Sequence, residues 1–186
     1  MVAWMIDKYG NQDQRDKYLP ALISMDTLAS YCLTEPDSGS DAQAMKSYAE
    51  DKGDHYLLNG NKAFISGAGT PGQLYLVMAR TGEKGVSCLL LEDGMEGLSY
   101  GANESKMGWN VQPTRGVNFD DVKVPKENLI GGVGEGFKIA LSGLDGGRLN
   151  IASCSIGGAA KSLEIATEYV KTRKQFGRPL AANQNI

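Results

Sequence analysis

The chain has 186 residues, of which 41% are hydrophobic and 22% charged, and its net charge at neutral pH is −3. These values are ordinary for a globular protein, and the length suffices for one domain or for parts of two. The slightly acidic balance gives no reason to expect nucleic acid or an anionic membrane surface as a partner. No apolar run approaches the roughly 18 residues that a membrane span requires.

The cysteine and histidine contents exclude two further classes. Cys32, Cys88 and Cys154 lie far apart, each among apolar neighbours. An odd, scattered set predicts free, buried thiols in a reducing compartment, and no cluster has the spacing of metal ligands. A histidine-dependent hydrolytic mechanism would have to rest on the single histidine, His55, which sits at an expected turn; such chemistry is therefore not expected.

Residues 1–29 are predicted to be helical, with breaks at Leu19-Pro20 and Met25-Asp26. The apolar start, Met1 to Ile6, has no partner helix in the sequence to cover it. We therefore expect these residues to be the end of an N-terminal helical domain and the chain to be the middle of a longer protein.

Residues 30–130 are predicted to form a small β-barrel or sandwich, because short β-rich runs alternate with turn residues. The Asn59-Gly60 pair is predicted to be a two-residue hairpin turn, since both positions tolerate positive φ. The runs occupy residues 56–58, 62–65, 74–79, 86–91 and 115–119.

From Gly134 onward the hydrophobic period becomes helical for about 35 residues. This segment is predicted to be the first long helix of a truncated C-terminal helical domain, residues 131–186. Interior glycines each cost about 1 kcal/mol relative to alanine, so those of this helix predict close backbone approach to a neighbour or ligand. They are Gly146, Gly147, Gly157 and Gly158. The predicted fold class is therefore α+β.

The segment Tyr31 to Asp41 is the most informative part of the sequence. It begins as a short strand and ends in a tight polar turn that contains Pro36 and Gly39. Such a switch exposes N–H groups and hydroxyls that suit a ligand rich in acceptors. From the pattern alone, a strand that ends in an ordinary polar loop remains an alternative.

This segment, Tyr-Cys-Leu-Thr-Glu-Pro-Asp-Ser-Gly-Ser-Asp, resembles the first signature of the acyl-CoA dehydrogenase family. Further motifs resemble the same family in the same order, so the resemblance covers essentially the whole chain, and it is strongest to the branch that acts on isobutyryl-CoA. These motifs occupy residues 60–68, 106–109, 119–125, 134–137, 144–148 and 173–180. The resemblance implies FAD-dependent α,β-desaturation of a short or branched acyl-CoA, in valine or fatty-acid catabolism.

The resemblance also implies roles for individual residues. Phe64 would stack beside the flavin, although from pattern alone it could be a core residue. Asp145 and Arg148 would meet the CoA moiety, or form only a surface ion pair. Arg173 would contact the FAD of a neighbouring subunit, or only complement the helix dipole. The implied FAD contacts are Tyr31, Cys32, Leu33, Thr34, Gly39, Ser40, Phe64, Ile65, Ser66, Arg173, Phe176, Asn183 and Gln184. The implied substrate contacts are Ser40, Asp145, Gly146, Gly147 and Arg148.

No catalytic residue is expected in this chain. Family members remove an α-proton with a glutamate, which one branch places just before the arginine that corresponds to Arg148; here that residue is Gly147. Other branches take it from the C-terminal helical domain. Glu35 precedes Pro36 and suits a structural turn. The chain alone is therefore expected to be inactive.

The resemblance implies further partners and a location for the whole protein. These are an electron-transferring flavoprotein, a homotetramer, and the mitochondrial matrix in a eukaryote or the cytoplasm otherwise. Two alternatives stay open, a flavin- or CoA-binding module without its own chemistry and a relative of the acyl-CoA oxidases.

Overall fold

The computed structural model describes residues 1–183, apart from the side chain of Lys84. By packing, the chain divides into a first unit, Met1–Leu144, and a second unit that begins at Asp145.

The first unit opens with two helices, α1 (Val2–Tyr9) and α2 (Gln12–Ser24). A capping box starts α2, because the side chains of Asn11 and Gln14 each accept a hydrogen bond of 2.9 Å from the other's backbone N–H. The helix ends at Met25, which has a φ of 66°, so the predicted break there is confirmed. The predicted break at Leu19-Pro20 is wrong. Pro20 removes one helical hydrogen bond, but Tyr18 and Leu22 on either side of it are buried and hold the helix on the core.

Eight strands form one sheet in the order β6-β7-β3-β2-β4-β5-β8, with β1 paired parallel to β4. The strands are β1 (Ala29–Cys32), β2 (Tyr48–Asp51), β3 (His55–Ser66), β4 (Leu74–Arg80), β5 (Val86–Glu92), β6 (Leu98–Tyr100), β7 (Thr114–Pro125) and β8 (Leu129–Ile130).

The strands β4 and β5 form the centre of the first unit and are buried on both faces. Alternate side chains point in opposite directions along a strand. Leu76 and Met78 therefore pack in one core with Ile6 of α1, and Tyr75 and Val77 pack in a second core with strands β3 and β7. A helical layer and a second sheet layer thus cover the two faces, which confirms the predicted α+β class with a central β domain.

The predicted hairpin turn at Asn59-Gly60 is wrong, because both residues lie inside β3. This strand pairs with β7 on both sides of an irregularity between Leu58 and Gly60. Gly60 has a φ of 135°, and a Cβ there would lie 2.5 Å from Ser47 Oγ. The glycine therefore permits a bulge and a close crossing rather than a reversal of the chain.

The third helix, α3 (Gly136–Thr172), confirms the predicted long helix. Its start is docked on β5: Gly134 N–H donates to Ser87 Oγ at 3.0 Å, and a Cβ on Gly136 would lie 2.3 Å from the Ser87 carbonyl carbon. In residues 1–183, no helix is both long and apolar enough to cross a membrane.

The second unit contains the rest of α3 and a small hairpin of β9 (Lys174–Gln175) and β10 (Arg178–Pro179). The turn residues Phe176 and Gly177 have φ values of 52° and 72°, as a tight two-residue hairpin requires. All three cysteines are free. Cys32 and Cys88 are buried as predicted, whereas Cys154 is exposed on the α3 surface of this unit, so that part of the prediction is wrong.

Candidate functional site

A cleft of about 510 Å³ in the first unit lies where the end of β1 meets the second half of β3. Its wall contains most of the first-unit residues that the sequence predicts to bind FAD. The wall consists of Met1, Val2, Ala29, Ser30, Tyr31, Leu33, Thr34, Gly39, Ala63, Phe64, Ile65, Ser66, Gln112 and Leu144.

Hydrogen bonds tie the two predicted segments together along this wall. Ala63 N–H donates to Thr34 O at 2.8 Å, and Ser30 Oγ donates to Ser66 O at 2.5 Å. The pairing of β1 with β4 ends at Cys32. The bond from Ala63 N–H to Thr34 O therefore holds the residues that follow β1 against β3, whereas the Ser30 bond holds β1 itself. Two segments that are about 30 residues apart in sequence therefore form one surface.

An ion pair between Lys62 and Glu35 lies directly behind the wall. Lys62 Nζ is 2.8 Å from Glu35 Oε1, and the side chains are 0% and 3% exposed. The Glu35 carboxylate also accepts hydrogen bonds from Lys46 N–H at 2.6 Å and Ser47 N–H at 3.0 Å. Burial alone would raise the pKa of Glu35, but these donors hold it below its ordinary value. Glu35 is therefore a charged structural group, as its place in the predicted turn indicates.

The turn after Thr34 closes on itself. Glu35 and Ser38 exchange two backbone hydrogen bonds of 2.9 and 3.1 Å, and Ser38 Oγ donates to Asp41 O at 2.7 Å. This closure brings Gly39 to the wall of the cleft. Ser40 is exposed and does not belong to the wall, so its contacts with FAD and substrate stay predictions.

Two aromatic residues differ in what they offer to a ligand. Phe64 is 66% exposed and has a φ of 57°; the alternative that it is a core residue is therefore wrong. The Tyr31 hydroxyl is buried and has no hydrogen-bond partner among the described residues, and burial raises its pKa. An orphaned hydroxyl beside a cleft is a group that a bound ligand can satisfy.

The thiol of Cys32 does not contribute to the wall. Its side chain is fully buried in the core between β4 and β7, and burial raises its pKa to about 12. It is therefore an inert core group, and any contact that Cys32 makes with FAD, still a prediction, must come from its backbone.

The remaining predicted residues lie in the second unit. Arg148 Nη1 is 2.9 Å from Asp145 Oδ1, with the side chains 71% and 75% exposed, which is the surface ion pair that the sequence leaves open as an alternative. Arg173 N–H donates to Tyr169 O at 2.9 Å, Phe176 is 95% exposed at the hairpin tip, and Asn183 Nδ2 donates to Leu180 O at 3.1 Å. Gln184 lies outside the described residues. For Gly146, Gly147 and all of these residues, ligand binding stays a prediction.

Sequence reasoning missed Lys62, although a signal was present. Tyr56 and Leu58 are buried, and Lys62 follows them at even spacing in the same strand, which places it on the inward side of the sheet. In the described residues, no group of three or more acidic, histidine or cysteine side chains is placed to hold a metal ion.

The fold and the cleft define a β domain with an open cleft, preceded and followed in the chain by helices. Comparison with known families identifies it further: residues 30–122 match the acyl-CoA dehydrogenase middle domain, and residues 134–186 match the C-terminal domain of the same enzymes. The chain therefore belongs to the acyl-CoA dehydrogenase family.

Individual relatives agree with this assignment. The chain is 56% identical to mitochondrial isobutyryl-CoA dehydrogenase of Dictyostelium discoideum, over 100% of this chain and 45% of that protein. Among solved structures, butyryl-CoA dehydrogenase from Megasphaera elsdenii has a TM-score of 0.90 and 42% identity, over 98% of this chain and 49% of that one. An acyl-CoA dehydrogenase from Bacillus anthracis, solved with FAD, has a TM-score of 0.89 and 37% identity, over 97% and 31%. The chain thus spans under half the length of these proteins.

Proposed function

We propose that the full-length protein is an FAD-dependent acyl-CoA dehydrogenase for short or branched acyl groups, with isobutyryl-CoA as its substrate. The observation that carries this proposal is the cleft that has Tyr31, Leu33, Thr34 and Phe64 to Ser66 on one wall. The identity to an isobutyryl-CoA dehydrogenase supports the choice of substrate.

The residues of the cleft fit the isoalloxazine part of FAD. A flat heterocycle needs an aromatic or apolar surface and hydrogen-bonding groups at its polar edge. Phe64 offers an exposed ring, the half-buried residue Thr34 a hydroxyl, and Tyr31 a buried hydroxyl without a partner among the described residues. When bound, FAD supplies the acceptor for the hydride that leaves the substrate's β-carbon. The role of these side chains is to orient it and to exclude water.

On the substrate side, we propose that Arg148 binds an anionic part of the CoA moiety, with Asp145, Gly146, Gly147 and Ser40 nearby. The Asp145–Arg148 pair is exposed, and exposed pairs contribute little to stability. Arg148 can therefore exchange Asp145 for a phosphate with little loss, since a guanidinium matches phosphate oxygens well.

The proton-abstracting base is proposed to lie outside this chain. Gly147, just before Arg148, has no carboxylate, and the Glu35 carboxylate is held in a buried ion pair with Lys62. The longer relatives contain further sequence that can supply a glutamate. Residues 1–186 alone are therefore expected to bind FAD weakly at best and not to turn over substrate.

The remaining features of the proposal concern the whole protein. Arg173, Phe176, Asn183 and Gln184 would contact the FAD of a neighbouring subunit in a homotetramer. Electrons would pass to an electron-transferring flavoprotein, and the reaction would serve valine catabolism. In a eukaryote the protein would lie in the mitochondrial matrix, and otherwise in the cytoplasm.

Anaerobic titration of the full-length protein with isobutyryl-CoA tests the proposal. Its bound flavin should bleach, whereas acetyl-CoA, which has no β-carbon to oxidise, should leave the visible spectrum unreduced. A flavin spectrum without bleaching would indicate a binding module, and peroxide formation in air at the rate of turnover would indicate an oxidase. A protein that purifies without flavin and binds none would contradict the proposal.

A further inference from the structure

The Lys62 ammonium contacts only groups inside the first unit. It donates to Glu35 Oε1 at 2.8 Å and to Leu33 O at 3.1 Å, and it lies 4.0 Å from Met45 Sδ. A lysine has three N–H donors, so each has an acceptor here. The residue is 1% exposed, so water does not solvate its charge.

Stability is a weak reason for this arrangement. Removing two charges from water costs several kcal/mol per ion, and well-packed apolar residues often replace a buried ion pair without loss. The pair does, however, hold the segment that follows β1. Lys62 Nζ donates to the Leu33 carbonyl and to the Glu35 carboxylate. The N–H of Ala63, the next residue of β3, donates to the Thr34 carbonyl at 2.8 Å.

These contacts determine which groups face the cleft. In a trans peptide the C=O and the following N–H point in opposite directions. Because Leu33 O is directed at Lys62, the N–H of Thr34 is directed away from Lys62. Leu33, Thr34, Ala63 and Phe64 all belong to the cleft wall. Glu35 directly follows Thr34 in the sequence, and Lys62 directly precedes Ala63, so both ions are next to wall residues without lining the cleft.

We propose that Lys62, acting with Glu35, is a positioning residue that sets the orientation of the Leu33–Thr34 peptide for flavin binding. The inference rests on the proposed function, because it takes the ligand of the cleft to be FAD. Lys62 itself does not line the cleft.

The test compares variants of the full-length protein in FAD affinity, visible flavin spectrum and thermal stability. The main variant is Lys62→Met/Glu35→Gln, which removes both charges together and leaves no unpaired buried ion. Lys46→Met is the matched control, because it removes only the exposed ion pair between Lys46 and Asp37 in the same loop. Lys62→Gln/Glu35→Gln keeps polar groups and covers the case in which the first pair of substitutions prevents folding.

We expect the Tm of the folded double variant to lie between those of Lys62→Met and the unchanged protein, because the glutamine nitrogen cannot accept the hydrogen bond that one Glu35 oxygen accepts from Lys46 N–H or Ser47 N–H. Its Kd for FAD should rise at least tenfold, and the absorption maximum of its bound flavin should shift. Lys46→Met should change none of these. A folded double variant with unchanged FAD affinity and spectrum would overturn the inference. Failure of the unchanged protein to bind FAD would instead overturn the proposed function.

Discussion

Lys62 Nζ lies 2.8 Å from Glu35 Oε1, and neither side chain is exposed by more than 3%. The pair joins the middle of β3 to the turn that follows β1. Since each ion has lost its contact with water, each depends on the other, and the two cannot be altered independently. The stability of the protein should therefore respond both to substitution of the pair and to pH.

Lys62→Met alone should lower the free energy of unfolding by about 3–5 kcal/mol, because it leaves the Glu35 carboxylate buried without its counterion. Lys62→Met/Glu35→Gln should recover part of that loss, because it leaves no unpaired ion but the glutamine nitrogen cannot accept one of the two backbone N–H bonds that Glu35 accepts. Urea denaturation of the three proteins measures both values. A single variant as stable as the unchanged protein would show that water replaces the ammonium.

The contribution of Glu35 to stability should depend on pH. Its folded-state pKa is held below the ordinary value of 4.5, so the folded state favours the charged form. The resulting stabilisation is fully present above pH 4.5 and is lost as the pH falls through the folded-state pKa. Unfolding measurements from about pH 7 to about pH 3 should show a smaller acid loss for Lys62→Met/Glu35→Gln, which leaves no unpaired buried ion, than for the unchanged protein. Parallel curves would contradict this explanation.

Gly136→Ala should destabilise the first unit, because the added Cβ would lie 2.3 Å from the Ser87 carbonyl carbon. Such overpacking against backbone typically costs about 1–3 kcal/mol. The matched control is Gly157→Ala in the same helix, where an added Cβ meets no described atom within 4 Å. Alanine there should be neutral or favourable. Equal effects on Tm would show that the start of α3 can move away from β5.

Tyr31→Phe should have opposite effects on the free and the FAD-bound protein. The Tyr31 hydroxyl is buried without a partner among the described residues, and an unsatisfied buried group costs about 1–3 kcal/mol. The variant should therefore be at least as stable as the unchanged protein without FAD, and FAD should raise its Tm by less. Thermal unfolding with and without FAD measures both effects. An equal FAD-induced rise would indicate that the hydroxyl does not meet the ligand.

The sequence predicted those parts of the fold that depend on local pattern. The period of α3 and the β-rich runs both correspond to elements of the structure. The prediction of a turn at Asn59-Gly60 was wrong because turn propensity is a local preference. The pairing of β3 with the distant β7 continues on both sides of these residues. The predicted helix break at Pro20 was wrong for the same kind of reason, since packing of α2 on the core outweighs one missing hydrogen bond.

The candidate site shows a similar division. The motifs indicated Thr34 and Phe64, and the structure brings them onto one wall. They did not indicate Lys62, because a lysine is normally expected to be exposed. The even spacing from Tyr56 and Leu58 indicates that Lys62 lies on the inward side of β3, but its contact with Glu35 depends on the tertiary arrangement.

Local pattern also could not predict which glycines of α3 are tightly packed. A Cβ added at the interior glycines Gly146, Gly157 or Gly158 would meet no described atom within 4 Å. At Gly136 and Gly143, by contrast, it would collide with Ser87 and Met5. All of these glycines look alike in the sequence, and only the elements packed against the first turns of α3 distinguish them.

The most direct test of the central claim is the Kd for FAD of the full-length protein carrying Thr34→Val/Phe64→Ala. Thr27→Val is the matched control for the threonine substitution, because Thr27 lies outside the cleft wall. The account predicts a Kd at least tenfold higher for the double variant and an unchanged Kd for Thr27→Val. Equal FAD affinity in the unchanged protein and both folded variants would contradict the assignment of this cleft as the flavin site.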